Sequence, residues 1–139
     1  MNQPELQFIN HASILISFEG IKLISDPWYE GYAFNNGWSL IYQNEEKFIS
    51  NLFERNVTHI WISHEHPDHF SISFFNTFGE IIKEKGIEIL FQKTTDKRVE
   101  SFLKVKKFNV RILETNEWIK IGNNCKIFNF KDGFYDSGL

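Results

Sequence analysis

The chain has 139 residues, 42% of them hydrophobic, with 15 Phe, 4 Trp, a single Cys and a formal net charge of −3. That length suits one domain spanning 1–139 with a core of its own, and the apolar share excludes a disordered chain. The acidic balance argues against a nucleic-acid backbone binder, the lone Cys125 excludes an intrachain disulfide, and no apolar run is long enough to span a membrane.

The N-terminus has no basic stretch leading into an apolar run, so the expected setting is cytoplasmic. The expected partner is a small-molecule substrate. Leu6 to Asn10 and Ser13 to Phe18 read as strands. Glu19-Gly20 is a tight-turn signal, and Ile21 to Ser25 returns as the second arm of a hairpin. Asp26-Pro27 ends that arm, because proline removes a donor and restricts its predecessor. Residues 28–43 are aromatic (Trp28, Tyr29, Tyr32, Phe34, Trp38, Tyr42) without a period, and read as a long loop. Phe48, Ile49, Leu52 and Phe53 then recur at helical spacing, predicting a helix over 44–55 with Asn44 as N-cap.

Thr58 to Ser63 reads as a strand that runs straight into a His-rich segment. Phe74, Phe75, Phe78, Ile81 and Ile82 make an apolar stripe, predicting a helix over 71–85 closed by Gly86. Glu88 to Phe91 is a strand and 96–107 a helix, with Lys93, Lys97, Arg98, Lys104, Lys106 and Lys107 as a solvated basic face. Val110 to Leu113, Trp118 to Ile121 and Lys126 to Phe130 read as strands. The order predicts an α/β fold with a mixed sheet and flanking helices.

Three of the five histidines fall within six residues, beside an aspartate, in Ser63-His64-Glu65-His66-Pro67-Asp68-His69. In an extended segment residues two apart point the same way, so His64 and His66 can aim at one ion. Pro67 redirects the chain, and Asp68 and His69, at the mouth of the next helix, can aim at a second. Imidazole and carboxylate donors suit Zn²⁺, with Fe and Mn as alternatives, bound as one or two ions. A solvated turn with histidines together by chance is the bland alternative, and this spacing at a strand end weighs against it. His59, inside the strand run, reads as structural, and Glu65 as pointing away from the histidines.

His64-Glu65-His66-Pro67-Asp68-His69 resembles the His-x-His-x-Asp-His signature of the metallo-β-lactamase-fold superfamily. Asn10-His11-Ala12-Ser13, the run Ile14 to Ser25, and Asp26-Pro27-Trp28 resemble the hairpin of its L-ascorbate-6-phosphate lactonase-like and N-acyl-phosphatidylethanolamine phospholipase-D-like branch. Asn35-Asn36-Gly37-Trp38 and Asp136-Ser137-Gly138-Leu139 resemble segments of CMP-N-acetylneuraminate hydroxylase-like domains. The resemblance implies an αββα sandwich, of which this chain would be the N-terminal part. It implies His64 and His66 as ligands of a first metal and Asp68 and His69 as ligands of a second. It further implies a metal-dependent hydrolase of phosphoesters, lactones or amides, in which Asp68 is catalytic and orients the attacking water.

Two further residues have two readings each. Asp26 either supports a ligand histidine from behind or simply makes an Asp-Pro turn. His11 either contacts the site or its substrate, or caps its strand. No histidine follows His69, so each metal would have two ligands from this chain where catalytic zinc normally has three. The favoured expectation is a fragment of a longer hydrolase. The others are a chain completed by a partner or by its own copy, and a non-catalytic metal-binding or regulatory relative. A sugar-modifying CMP-sialate hydroxylase-like role stands as a further alternative, and a half sandwich would leave an apolar sheet face open.

Overall fold

A computed structural model describes residues 3–131 and the backbone of 132 and 136–138. Its strands are β1 (Glu5–Asn10), β2 (Ser13–Phe18), β3 (Ile21–Ser25), β4 (Tyr32–Ala33), β5 (Trp38–Ser39), β6 (His59–Ile62), β7 (Glu88–Gln92), β8 (Asn109–Leu113), β9 (Glu117–Lys120), β10 (Lys126–Asp132) and β11 (Asp136–Gly138). Its helices are α1 (Glu46–Glu54), α2 (Ile72–Glu84) and α3 (Arg98–Val105). One six-stranded sheet runs β1-β2-β3-β6-β7-β8. The first three strands form an antiparallel meander, and β3, β6, β7 and β8 pair in parallel.

Strand alternation sorts the side chains onto two faces. Leu15, Ile24, Ile60, Ile62, Ile89 and Phe91 face the helices and share one core with Phe53 of α1, Phe74 and Ile82 of α2, and Leu103 of α3. The opposite face carries Leu23, Trp61, Leu90 and Leu113, which pack with Ile121 and, from β9 and β10, Ile119 and Ile127. The layers are therefore helices, main sheet and a second small sheet of order β11-β10-β9. Arg111 ties the two sheets together, donating from Nη1 to the Lys120 carbonyl and from Nε and Nη2 to Glu88.

Local chemistry explains the boundaries. Ser71 caps α2 by accepting from the Phe74 amide, and Gly86, at φ +63°, closes it. There the Ile87 amide returns to the Ile82 carbonyl and the Gly86 amide to that of Lys83, the paired bonds of a Schellman cap. Among the described residues, no helix is long and apolar enough to cross a membrane.

Three expectations need correction. The 28–43 loop contains a small hairpin, β4 with β5, seated on a cluster of Trp28, Ala33 and Leu40. Asn44 is not the N-cap of α1, because Glu45 holds that position; the Asn44 side chain instead accepts from Asn10 Nδ2. The open sheet face is partly covered, because the β9–β10 pair folds over its β3–β6–β7–β8 end; Leu6 and Phe8 of β1 remain exposed.

Candidate metal centre

The site lies where β6 ends, at the carboxyl end of the parallel strands, the usual place for ligands in open α/β sheets. Three chain segments meet there. The first is the β1–β2 turn. A register shift between Phe8 and Asn10 buries both Ile9 and Asn10, and His11 follows in the left-handed region at φ +47°. The second is the end of β3, where Asp26 also has positive φ, +35°, and its amide donates to the Trp61 carbonyl. The third is 63–71. Its chain does not enter α2 directly, as the spacing suggested. The His66 carbonyl accepts from both the His69 and Phe70 amides, making a separate turn that brings Asp68 and His69 back toward the strand end.

Asp26 organises the buried side of the site. Its Oδ1 accepts from the Ser63 amide at 2.7 Å, and its Oδ2 accepts from Ser63 Oγ at 2.7 Å and faces His69 Nδ1 at 2.9 Å. A carboxylate only accepts, so the His69 proton sits on Nδ1. The Ser63 hydroxyl has given its hydrogen to Asp26, so His64 Nδ1, 2.9 Å away, must donate to it. Both rings are thereby set with Nε2 as the atom that carries the lone pair. His64 Nε2 lies 2.9 Å from His66 Nδ1, so the two expected first-metal residues converge on one point.

Asp68 forms the second focus. Its Oδ2 is 3.0 Å from His11 Nε2 and 3.3 Å from His69 Nε2. Its Oδ1 is buried without a hydrogen-bond partner among the described residues. Asp26 and Asp68 are only 4% and 5% exposed, and among the described residues the ionic partners of both are histidines rather than Lys or Arg. Two buried carboxylates demand positive charge nearby. The contact between Asp68 Oδ2 and the lone-pair nitrogen of His69 requires a proton or a cation between two acceptors. The donor set therefore fits a divalent metal, with His64 and His66 as one pair of donors and His11, Asp68 and His69, whose ligand atoms all lie within 4.8 Å of one another, as another group.

All six residues singled out in the sequence thus gather here. Glu65 is half-buried, and His59 lies elsewhere, buried at the start of β6 between Thr58 and Glu88. Sequence reasoning missed three contributors. Ser63 is the hinge of the Asp26 network; Gln92 of β7 donates from Nε2 to the Ser63 carbonyl at 2.8 Å; and buried Trp28 meets the His11 ring edge-on at 5.1 Å. Ser63 and Gln92 carry no local signal, because their partners lie 37 and 29 residues away. Asn10 fixes the loop, donating to the Tyr42 carbonyl and to Asn44 Oδ1. Deeper in, Tyr29 bonds Ser13, and burial holds its phenol above the ordinary range, so it stays neutral. Beside His66 opens a cleft of about 780 Å³ lined by Glu65, Pro67, Phe70, Arg98 and Phe102 among others.

The model of the beta-lactamase superfamily domain matches residues 5–133. The cytidine monophosphate-N-acetylneuraminic acid hydroxylase of Asterias rubens is 25% identical over 139 residues, covering 97% of this chain and 20% of that protein. Among solved structures, the diiron β-hydroxylase CmlA from Streptomyces venezuelae superposes with a TM-score of 0.66 at 19% identity, over 94% of this chain and 24% of that one. Igni18, a metallo hydrolase from Ignicoccus hospitalis, superposes with a TM-score of 0.52 at 15% identity, over 85% of this chain and 42% of that one. At these identities the structural likenesses concern the fold alone. The chain spans about a fifth of the length of the curated relatives it matches.

Proposed function

This chain belongs to the metallo-β-lactamase-fold superfamily, and on that premise we propose that it supplies the histidine-rich part of a metal-dependent hydrolase site. The observation that carries the reading is the pair of buried carboxylates, Asp26 and Asp68, whose ionic partners among the described residues are His11 and His69, beside the converging ring nitrogens of His64 and His66. His64 and His66 hold a first ion, and Asp68 and His69 a second. Zn²⁺ is the metal we favour, and Fe and Mn suit the same donors. When bound, such an ion lowers the pKa of water toward neutrality and polarises the bond under attack.

The chain's own residues do the rest. Asp26 and Ser63 keep the protons of His69 and His64 on their Nδ1 atoms, which holds both rings in one tautomer. Asp68 Oδ1, buried and unpartnered, accepts a hydrogen bond from the attacking water and orients its oxygen toward the substrate. Hydrolysis consumes that water: a bond from its oxygen to carbon or phosphorus forms, the ester, lactone or amide bond breaks, and the leaving group takes a proton. The cleft beside His66 offers Phe70 and Phe102 to an apolar part of a small substrate. The remaining ligands come from chain beyond these residues or from a second copy, and a cytoplasmic setting suits the single cysteine.

A second reading draws on the printed names of the relatives. It makes the chain part of a hydroxylase-like protein, which would need oxygen and a reductant. One experiment separates the two. The whole protein, loaded with Zn²⁺, Mn²⁺ or Fe²⁺, is assayed on p-nitrophenyl esters and bis-p-nitrophenyl phosphate, with oxygen uptake followed in parallel. Metal-dependent release of p-nitrophenol, lost with a chelator and about 100-fold lower in Asp68→Asn, is expected. Turnover indifferent to chelator and to Asp68→Asn, or tight metal binding without any hydrolysis, overturns the hydrolase reading. Oxygen uptake in its place favours the second.

A further inference from the structure

Resting on that metal-site reading, we infer that His11 is a direct protein ligand of the second metal position, completing a His11–Asp68–His69 triad from within this chain. His11 Nε2 lies 3.0 Å from Asp68 Oδ2, and the ligand atoms of the three residues fall within 4.8 Å of one another. An ion about 2.1 Å from each of three tetrahedral donors keeps them about 3.4 Å apart, so small side-chain adjustments bring this set onto one ion.

Two independent features point the same way. The first is the backbone. His11 sits at φ +47°, where a residue with a Cβ costs about 1–2 kcal/mol and glycine or asparagine is at home. Glycine or asparagine would serve the turn as well, and histidine is the residue that adds a metal donor at that point. The second is the ring's setting. Trp28, itself buried, packs edge-on against the His11 ring with planes at 86°, and the His69 ring lies at 5.8 Å on the site side. His11 is thus held by packing with its Nε2 on the buried carboxylate that retains an unpartnered oxygen. The triad gives the second position three protein ligands, the usual number for a catalytic zinc site, and leaves the His64–His66 pair as the position that needs a ligand from elsewhere.

The test uses the purified 139-residue chain titrated with Co²⁺. The readouts are bound equivalents, visible d–d absorption and the paramagnetically shifted imidazole N–H signals in the proton NMR spectrum. His11→Asn tolerates the left-handed backbone and removes the imidazole. It should lose one tightly bound equivalent relative to wild type, with that Kd raised about 100-fold or more, and lose one shifted N–H signal. His64→Ala should keep that equivalent, because the His64–His66 pair lies outside the triad. His11→Gly relieves the backbone, and free imidazole added to it should restore both the equivalent and the spectrum. A His11→Asn chain that keeps all its Co²⁺ with affinity within about threefold and an unchanged N–H count overturns this inference alone. A folded wild-type chain that binds no Co²⁺ overturns the metal-site reading with it.

Discussion

Asp26→Asn is the substitution on which the site architecture turns. The change is nearly isosteric, and asparagine accepts the positive φ of +35° that position 26 requires. What it alters is the direction of the two hydrogen bonds at Oδ2. Asp26 Oδ2 now accepts from Ser63 Oγ and from His69 Nδ1 at 2.9 Å. With the amide oxygen kept on the Ser63 amide, an NH₂ group faces His69 and can only donate. The His69 proton then moves to Nε2, the atom 3.3 Å from Asp68, where it caps the lone pair a metal would use. Supporting groups behind a ligand histidine are typically worth 10–100-fold in metal affinity, about 1.4–2.8 kcal/mol. The metal-free protein should lose about 1–3 kcal/mol, offset in part by relief of one buried charge. Calorimetric titration with Zn²⁺, alongside urea unfolding with and without chelator, reads both quantities. Metal affinity within about twofold of wild type, in a variant that unfolds cooperatively, would refute the tautomer argument.

Two other substitutions test the scaffold. His59 is buried beside Glu88 and Arg111, and desolvation, partly opposed by Glu88 and reinforced by Arg111, holds its pKa below the ordinary 6.5. The unfolded chain therefore takes up this proton first as pH falls through about 6.5, so His59 lowers stability in acid and leaves it untouched above. His59→Gln should show a shallower loss of urea stability than wild type between about pH 7.5 and 5.5, and parallel pH profiles would contradict the burial argument. Lys107, exposed just past α3, holds φ +61° while the Phe108 amide returns to the Leu103 carbonyl. Lys107→Gly should raise stability by about 0.5–1 kcal/mol, read as a higher urea midpoint at unchanged slope; a lower midpoint would show that the left-handed cap is not strained.

Much of the scaffold was legible because its signals are local. The stripe from Phe74 to Ile82 has the period of a helix, Gly86 marks its end, and Ile21 to Ser25 alternates between two faces. Asn44 misled because a polar residue before an apolar stripe looks like a cap, whereas here its side chain answers Asn10, 34 residues away. The small β4–β5 hairpin was invisible because two-residue strands carry no period.

The division at the site follows the same physical line. His64, His66, Asp68 and His69 could be read as donors from the sequence, because metal chemistry fixes the residue types and a strand followed by a turn fixes their spacing. That Asp26 stands behind His69, that Ser63 passes its hydrogen bond to His64, and that His11 reaches Asp68 depends on contacts across 43, 37 and 57 residues. No local pattern records those contacts. They exist because β3 pairs in parallel with β6, which sets Ser25 beside Trp61 and so Asp26 beside Ser63, and because the bulged β1–β2 turn carries His11 over that same strand end. Residue chemistry sets which atoms are suited to be metal donors, and strand register sets which of those atoms meet at one place.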